Sequence, residues 1–242
     1  MKLNIFNTPE NVLVNLATYF VTLAEQSIAK HSNFSVALSG GSSPKKLYEL
    51  LASNDFKNKV DWENVYFFFG DERNVPQDDK DSNYLMAKTA LFDPLQIDDS
   101  NIFAVDTSLS PAEAAAEYKK AIDLFFDEQS LTFDLILLGL GDNSHTASLF
   151  PYTPVLNEKT ATVKEVFLED QQVYRITFTA PLINQAHNIA FLVYGEGKAI
   201  AVHHVLEDAR DIENYPAQLI APTHGKIRWY LDEPAAADLK NK

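Results

Sequence analysis

The chain has 242 residues, 46% of them hydrophobic and 22% charged, and its 34 acidic against 20 basic residues give a formal charge of −14. That charge repels nucleic acid and anionic membrane surfaces, no Lys/Arg cluster reverses it locally, and no segment reads as the roughly 18 apolar residues that span a bilayer. With no cysteine there is no disulfide, thiol nucleophile or cysteine-held zinc or iron–sulfur group.

The N-terminal residues Met1 to Glu10 lack a sustained apolar stretch and a small-residue cleavage site, so the expected location is cytoplasmic. Leu3 to Phe6 reads as a short strand. Thr8-Pro9 then supplies an N-cap and first-turn proline for a helix towards Lys30, with Val12, Leu16, Tyr19, Phe20 and Leu23 on its apolar face. Phe34 to Leu38 is a strand, and Ser43-Pro44 opens a helix carrying Leu47, Tyr48, Leu50 and Leu51. Strand Val65 to Phe69 follows, then a polar loop and a helix from Ser82 to Leu91. Ser110-Pro111 starts a longer helix through Ala114, Tyr118, Ile122 and Phe125, which feeds the strand Asp134 to Leu138.

Such a βαβ series implies a mostly parallel sheet with helices on both faces. In the second half, Ala161 to Val166 and Val173 to Phe178 alternate around the acidic turn Glu169 to Gln172, a small antiparallel addition. Asn188 to Tyr194 is another buried strand, Gly195 to Lys198 opens a helix to Glu207, and Lys226 to Leu231 is a last strand before a short terminal helix. No repeat or linker divides the chain, so residues 1–242 read as one domain.

Three strand ends empty into polar turns, and in open α/β sheets ligands collect at that edge. Ser39-Gly40-Gly41-Ser42-Ser43-Pro44 brings backbone amides and hydroxyls to a helix start, which makes either a phosphate cradle or a plain Gly-Ser turn capped by Ser43. Gly70-Asp71-Glu72-Arg73 supplies two acids and a cation, for a reaction centre or for a structural ion pair. Gly139-Leu140-Gly141-Asp142-Asn143-Ser144-His145 delivers a histidine that can act as general base.

Neither GxxxxGK[ST] nor a complete dinucleotide fingerprint is present, and no HExxH or Gly-x-Ser-x-Gly elbow occurs. Ser148, one turn beyond His145 on an expected helix, reads as packing or capping. Attack by water, with no protein nucleophile, is the chemistry this pattern favours.

In order along the chain, the segments 37–44 and 69–73, Val75-Pro76, Ser82-Asn83, Leu138 to Pro151, Arg175-Ile176-Thr177, Gly195 with Lys198, and Pro216-Ala217 resemble those of the 6-phosphogluconolactonases, in a superfamily that also holds glucosamine-6-phosphate deaminases. The resemblance implies a modified doubly wound α/β fold and hydrolysis of 6-phosphoglucono-δ-lactone to 6-phosphogluconate in the oxidative pentose phosphate pathway. It implies no metal, no organic cofactor and no obligate protein partner. It makes His145 the base, Asp71 and Arg73 the groups that shape and polarise the reaction centre, and Gly40, Gly41, Ser42, Arg175 and Lys198 the holders of phosphate and sugar oxygens.

One departure stands out: the family commonly reads Asp-Gly-His where this chain has Asn143-Ser144-His145. A serine at a position favouring positive φ is strained, and an asparagine lacks the charge that orients and stabilises imidazolium, a task then left to Asp142 or Asp71. Two alternatives accompany the lactonase reading. One is a sugar-phosphate binding protein that has lost turnover. The other is a deaminase of the same superfamily; such deaminases resemble one another in placing an acid five residues after the histidine, where this chain has Phe150.

Overall fold

The protein is described by a computed structural model covering residues 1–127 and 131–240. Its elements in chain order are β1 (Lys2–Phe6), α1 (Pro9–His31), β2 (Phe34–Leu38), α2 (Ser42–Leu51), β3 (Val65–Phe69), β4 (Asp71–Arg73), α3 (Asn83–Ala87), α4 (Asp93–Leu95), α5 (Pro111–Phe126), β5 (Leu135–Leu138), β6 (Val163–Leu168), β7 (Val173–Phe178), α6 (Ala180–Ile183), β8 (Asn188–Val193), α7 (Ala199–Leu206) and β9 (Lys226–Asp232).

Six strands form a parallel sheet in the order β1-β9-β8-β5-β2-β3, and β4-β7-β6 form a second, antiparallel sheet. All residues of β2 and β5 are buried, as continuous apolar runs covered on both faces must be. Alternation sorts their side chains. Val36, Leu38, Leu135 and Leu137 pack with Leu16 and Phe20 of α1 and Leu47 and Leu51 of α2. Ala37, Ile136 and Leu138 pack on the other face with Tyr118 and Ile122 of α5 and Val166 and Ile176 of the β6–β7 hairpin.

Helix ends follow local chemistry. Thr8 Oγ1 accepts from Asn11 N at the start of α1, which ends at Ser32 with φ +68°. Ser110 and Glu113 form a capping box at α5. At 23 residues and mean hydropathy 1.3, α1 is long and apolar enough by length and composition to cross a membrane, which corrects the reading that no segment is. Its apolar face is occupied within the fold: Val12, Leu16, Ala17, Phe20 and Ala24 are wholly buried against the sheet and α2. Each large side chain so buried contributes roughly 1.5–3 kcal/mol.

Five expectations are corrected. Helix α2 starts at Ser42, with Gly41 as N-cap. The expected helix from Ser82 to Leu91 is α3, which runs through a π-helical turn, Lys88–Phe92, into α4. Residues 233–238 form turns rather than a terminal helix, and Ser148 lies in irregular chain, not on a helix. Asp71–Arg73 is a strand, not a loop: Gly70 N donates to Leu38 O (2.9 Å) in the large sheet while Gly70 O accepts from Phe178 N (2.8 Å) in the small one.

The chain leaves β2 on one side for β3 and returns on the other as β5, so a crevice opens between the ends of β2 and β5. Two buried tyrosines hold the ends of β2 and β3. Tyr48 Oη accepts from Ser39 N (2.9 Å) and donates to Ser39 O (2.8 Å), and Tyr118 Oη does the same at Phe69 (2.6 and 3.1 Å).

Candidate active site

At the end of β2, Gly41 takes φ +106°, and no side chain caps the first turn of α2, leaving amide donors and the positive end of a ten-residue helix available. The capping role read for Ser43 is therefore absent. A Cβ on Gly40 would lie 2.0 Å from Asn83 Oδ1, so glycine fits where the loop after β2 meets the start of α3.

On β4 the three charged residues separate in function. Glu72 is buried and accepts from Arg73 N (2.7 Å), Asn83 N (2.8 Å) and Tyr84 N (2.8 Å), so it satisfies first-turn amides of α3 beside the N-cap Ser82; burial raises its pKa. The alternative of an ion pair within this segment is not realised, since neither acid lies within 4 Å of the Arg73 guanidinium. Arg73 Nη1 instead donates to Asp81 O (2.5 Å). Asp71 accepts from Ser148 Oγ (2.8 Å), a contact between residues 77 positions apart.

After β5 the chain folds back on itself, with Gly141 N donating to His145 O (2.9 Å) and Ser144 N to Gly141 O (2.9 Å). A Cβ on Gly141 would sit 2.0 Å from His145 Nδ1. Ser144 has φ +62°, the conformation that the sequence comparison anticipated as strained for serine. Asn143 Oδ1 lies 2.5 Å from His145 Nδ1. An amide oxygen only accepts, so Nδ1 carries the proton and Nε2 keeps its lone pair. Asparagine thus does orient the imidazole, contrary to expectation, and Asp142 does not: it pairs with Lys198 at 2.6 Å.

The His145 ring stacks on Phe150 at 4.0 Å between centroids. Burial pushes its pKa down to about 4; Asp71 acts upward, and Lys198 and Arg175 add to the lowering. The imidazole is neutral at pH 7 and available to take a proton.

Arg73 and Arg175 face each other in register across β4 and β7. Arg175 Nη2 donates to Gln171 Oε1 (2.7 Å), and the Nε atoms of both arginines are buried without a partner. Among the described residues, no carboxylate lies within salt-bridge distance of either guanidinium. Burial and then the neighbouring Arg73 lower the Arg175 pKa. In a chain with so large an excess of acid, two adjacent uncompensated cations are costly to hold and suited to an incoming anion.

A cavity of about 360 Å³ joins these pieces. Gly40, Gly41, Ser42, Asp71, Arg73, His145, Arg175 and Lys198 all line it. So do Gln171, Ser148, Phe150 and Tyr194, for which the sequence reading gave no site role. Among the described residues, no three His, Asp or Glu side chains are grouped to hold a metal ion.

A family model described as glucosamine-6-phosphate isomerases/6-phosphogluconolactonase matches residues 7–229. The chain belongs to this family. Among curated members, the 6-phosphogluconolactonase of Synechocystis sp. is 40% identical over 238 residues, covering 96% of this chain and 95% of that one. The 6-phosphogluconolactonase of Nostoc sp. is 41% identical over 223 residues, covering 90% of each. The solved 6-phosphogluconolactonase of Trypanosoma brucei superposes with a TM-score of 0.86 at 30% identity, covering 98% of both chains. The doubly wound sheet with its small antiparallel companion is thus the architecture of the glucosamine-6-phosphate isomerase/6-phosphogluconolactonase family.

Proposed function

We propose that the protein hydrolyses 6-phospho-D-glucono-1,5-lactone to 6-phospho-D-gluconate, the lactonase step of the pentose phosphate pathway. The observation that carries this reading is a neutral, tautomer-fixed His145 sharing one cavity with two carboxylate-free guanidiniums. A base at one place and anion-holding cations at another match a substrate with a carbonyl at one end and a phosphate at the other.

His145 Nε2 takes a proton from water as the water oxygen bonds to the lactone carbonyl carbon. The resulting oxyanion is met by the positive groups of the cavity. As it collapses, the bond from C1 to the ring oxygen breaks, and the proton held on His145 passes to that oxygen, leaving the open-chain acid. A conjugate acid with a pKa of about 4 returns its proton readily. The uncapped start of α2, Ser42, Arg175 and Lys198 hold the phosphate. Arg73 takes a place beside Arg175, its register partner across β4 and β7.

Proton release after adding freshly generated lactone tests the reading. Wild type should exceed the spontaneous rate, and His145→Ala should fall towards it by roughly 10²- to 10⁴-fold while keeping affinity for 6-phosphogluconate. Binding of 6-phosphogluconate with no acceleration by wild type would replace this conclusion with a sugar-phosphate binding protein.

A further inference from the structure

Resting on the lactonase reading, we propose that Gln171 is the residue that fixes the preference for a phosphorylated substrate, by holding the Arg175 guanidinium in place without neutralising it. The turn between β6 and β7 is built for this. Gln171 N donates to Leu168 O (3.2 Å), Gln172 takes φ +52°, and the Gln172 side chain closes the turn on Glu169 O (2.6 Å). Gln171 is thereby turned to the cavity wall, where its Oε1 meets Arg175 Nη2 at 2.7 Å.

The chemistry of that contact is specific. Glu169 and Asp170 immediately precede Gln171, yet neither forms an ion pair with Arg175 among the described residues; the group that reaches the guanidinium is an amide. Arg73 is secured in the same manner, by the Asp81 carbonyl oxygen. A neutral acceptor holds one edge of each planar fork and leaves the full charge and the buried Nε donor for a dianion. A carboxylate at position 171 would hold the guanidinium as firmly but would cancel the charge and repel phosphate.

The test compares wild type, Gln171→Glu, Gln171→Ala and Arg175→Ala. The readouts are calorimetric binding of inorganic phosphate and the ratio of kcat/KM for 6-phosphogluconolactone over unphosphorylated gluconolactone. Gln171→Glu should weaken phosphate binding tenfold or more and lower the ratio correspondingly. Gln171→Ala should do so three- to tenfold, with melting temperatures showing that both variants fold. Phosphate binding and a ratio within twofold of wild type in both Gln171 variants, with binding lost in Arg175→Ala, would overturn the inference and leave the phosphate site standing. Unaltered phosphate binding in Arg175→Ala as well would overturn both.

Discussion

His145 and Asn143 are joined through Nδ1 and Oδ1 at 2.5 Å, so the imidazole is locked in one tautomer by a group that cannot carry negative charge. Orientation and charge stabilisation, which a carboxylate would supply together, are separated here. The ring is aimed by Asn143, and Asp71 is the principal charge favouring its protonated form.

Asn143→Asp should therefore raise the His145 pKa above about 4 and move the acid limb of the kcat/KM profile to higher pH by roughly one to two units. Asn143→Ala should leave that limb close to its wild-type position and lower kcat by roughly 10- to 100-fold, because the ring is no longer held. A pH–rate series on the three proteins checks both.

Gly141→Ala places a methyl group where the imidazole ring lies, 2.0 Å from Nδ1. The backbone at Gly141 does not have positive φ, so the chain tolerates alanine but His145 must move. The expected result is a fall in kcat of roughly 10²-fold with a small change in melting temperature, measured by steady-state kinetics and thermal unfolding.

Ser144→Gly relieves a serine held at φ +62° and should stabilise the fold by roughly 0.5–1 kcal/mol, read as a shift of the urea midpoint. The hydrogen bond from Ala217 N to Ser144 O uses backbone only and survives the change.

His145 also marks stability against pH. Its pKa is about 4 in the folded chain against an ordinary value of 6.5, so between these values the unfolded chain binds a proton that the folded chain refuses. This residue's contribution makes stability rise with pH from about 4 to 6.5 and level off above. In His145→Gln that contribution should vanish, which urea titrations at pH 4.5, 5.5 and 7 would detect as a shallower slope.

The large sheet is legible in the sequence because strands buried on both faces, such as β2 and β5, leave unbroken apolar runs. The β6–β7 hairpin is legible from its alternation around a polar turn. Strand β4 is not, because three charged residues carry no apolar pattern, and their strand state comes entirely from pairing with β7. The loops that meet in the cavity are visible from the polar residues at strand ends. Their internal wiring is hidden: Ser148 reaches Asp71 across 77 positions, and Gln171 sits in a stretch that reads only as an acidic turn. Asp142, three residues before the histidine, turns away to Lys198, so closeness in sequence misleads where geometry decides.

Gly70 alone separates β3 of the large sheet from β4 of the small one, bonding to both. The general base is thereby mounted on the larger body, while Arg73 and Arg175 ride together on the smaller one. Both sheets nevertheless serve both tasks: Asp71, the charge that favours the protonated imidazole, rides with the arginines, while Ser42 and Lys198 follow strands of the larger body. Loosening the small sheet would therefore withdraw both guanidiniums and Asp71 at once, disturbing the grip on the substrate and the setting of the base together.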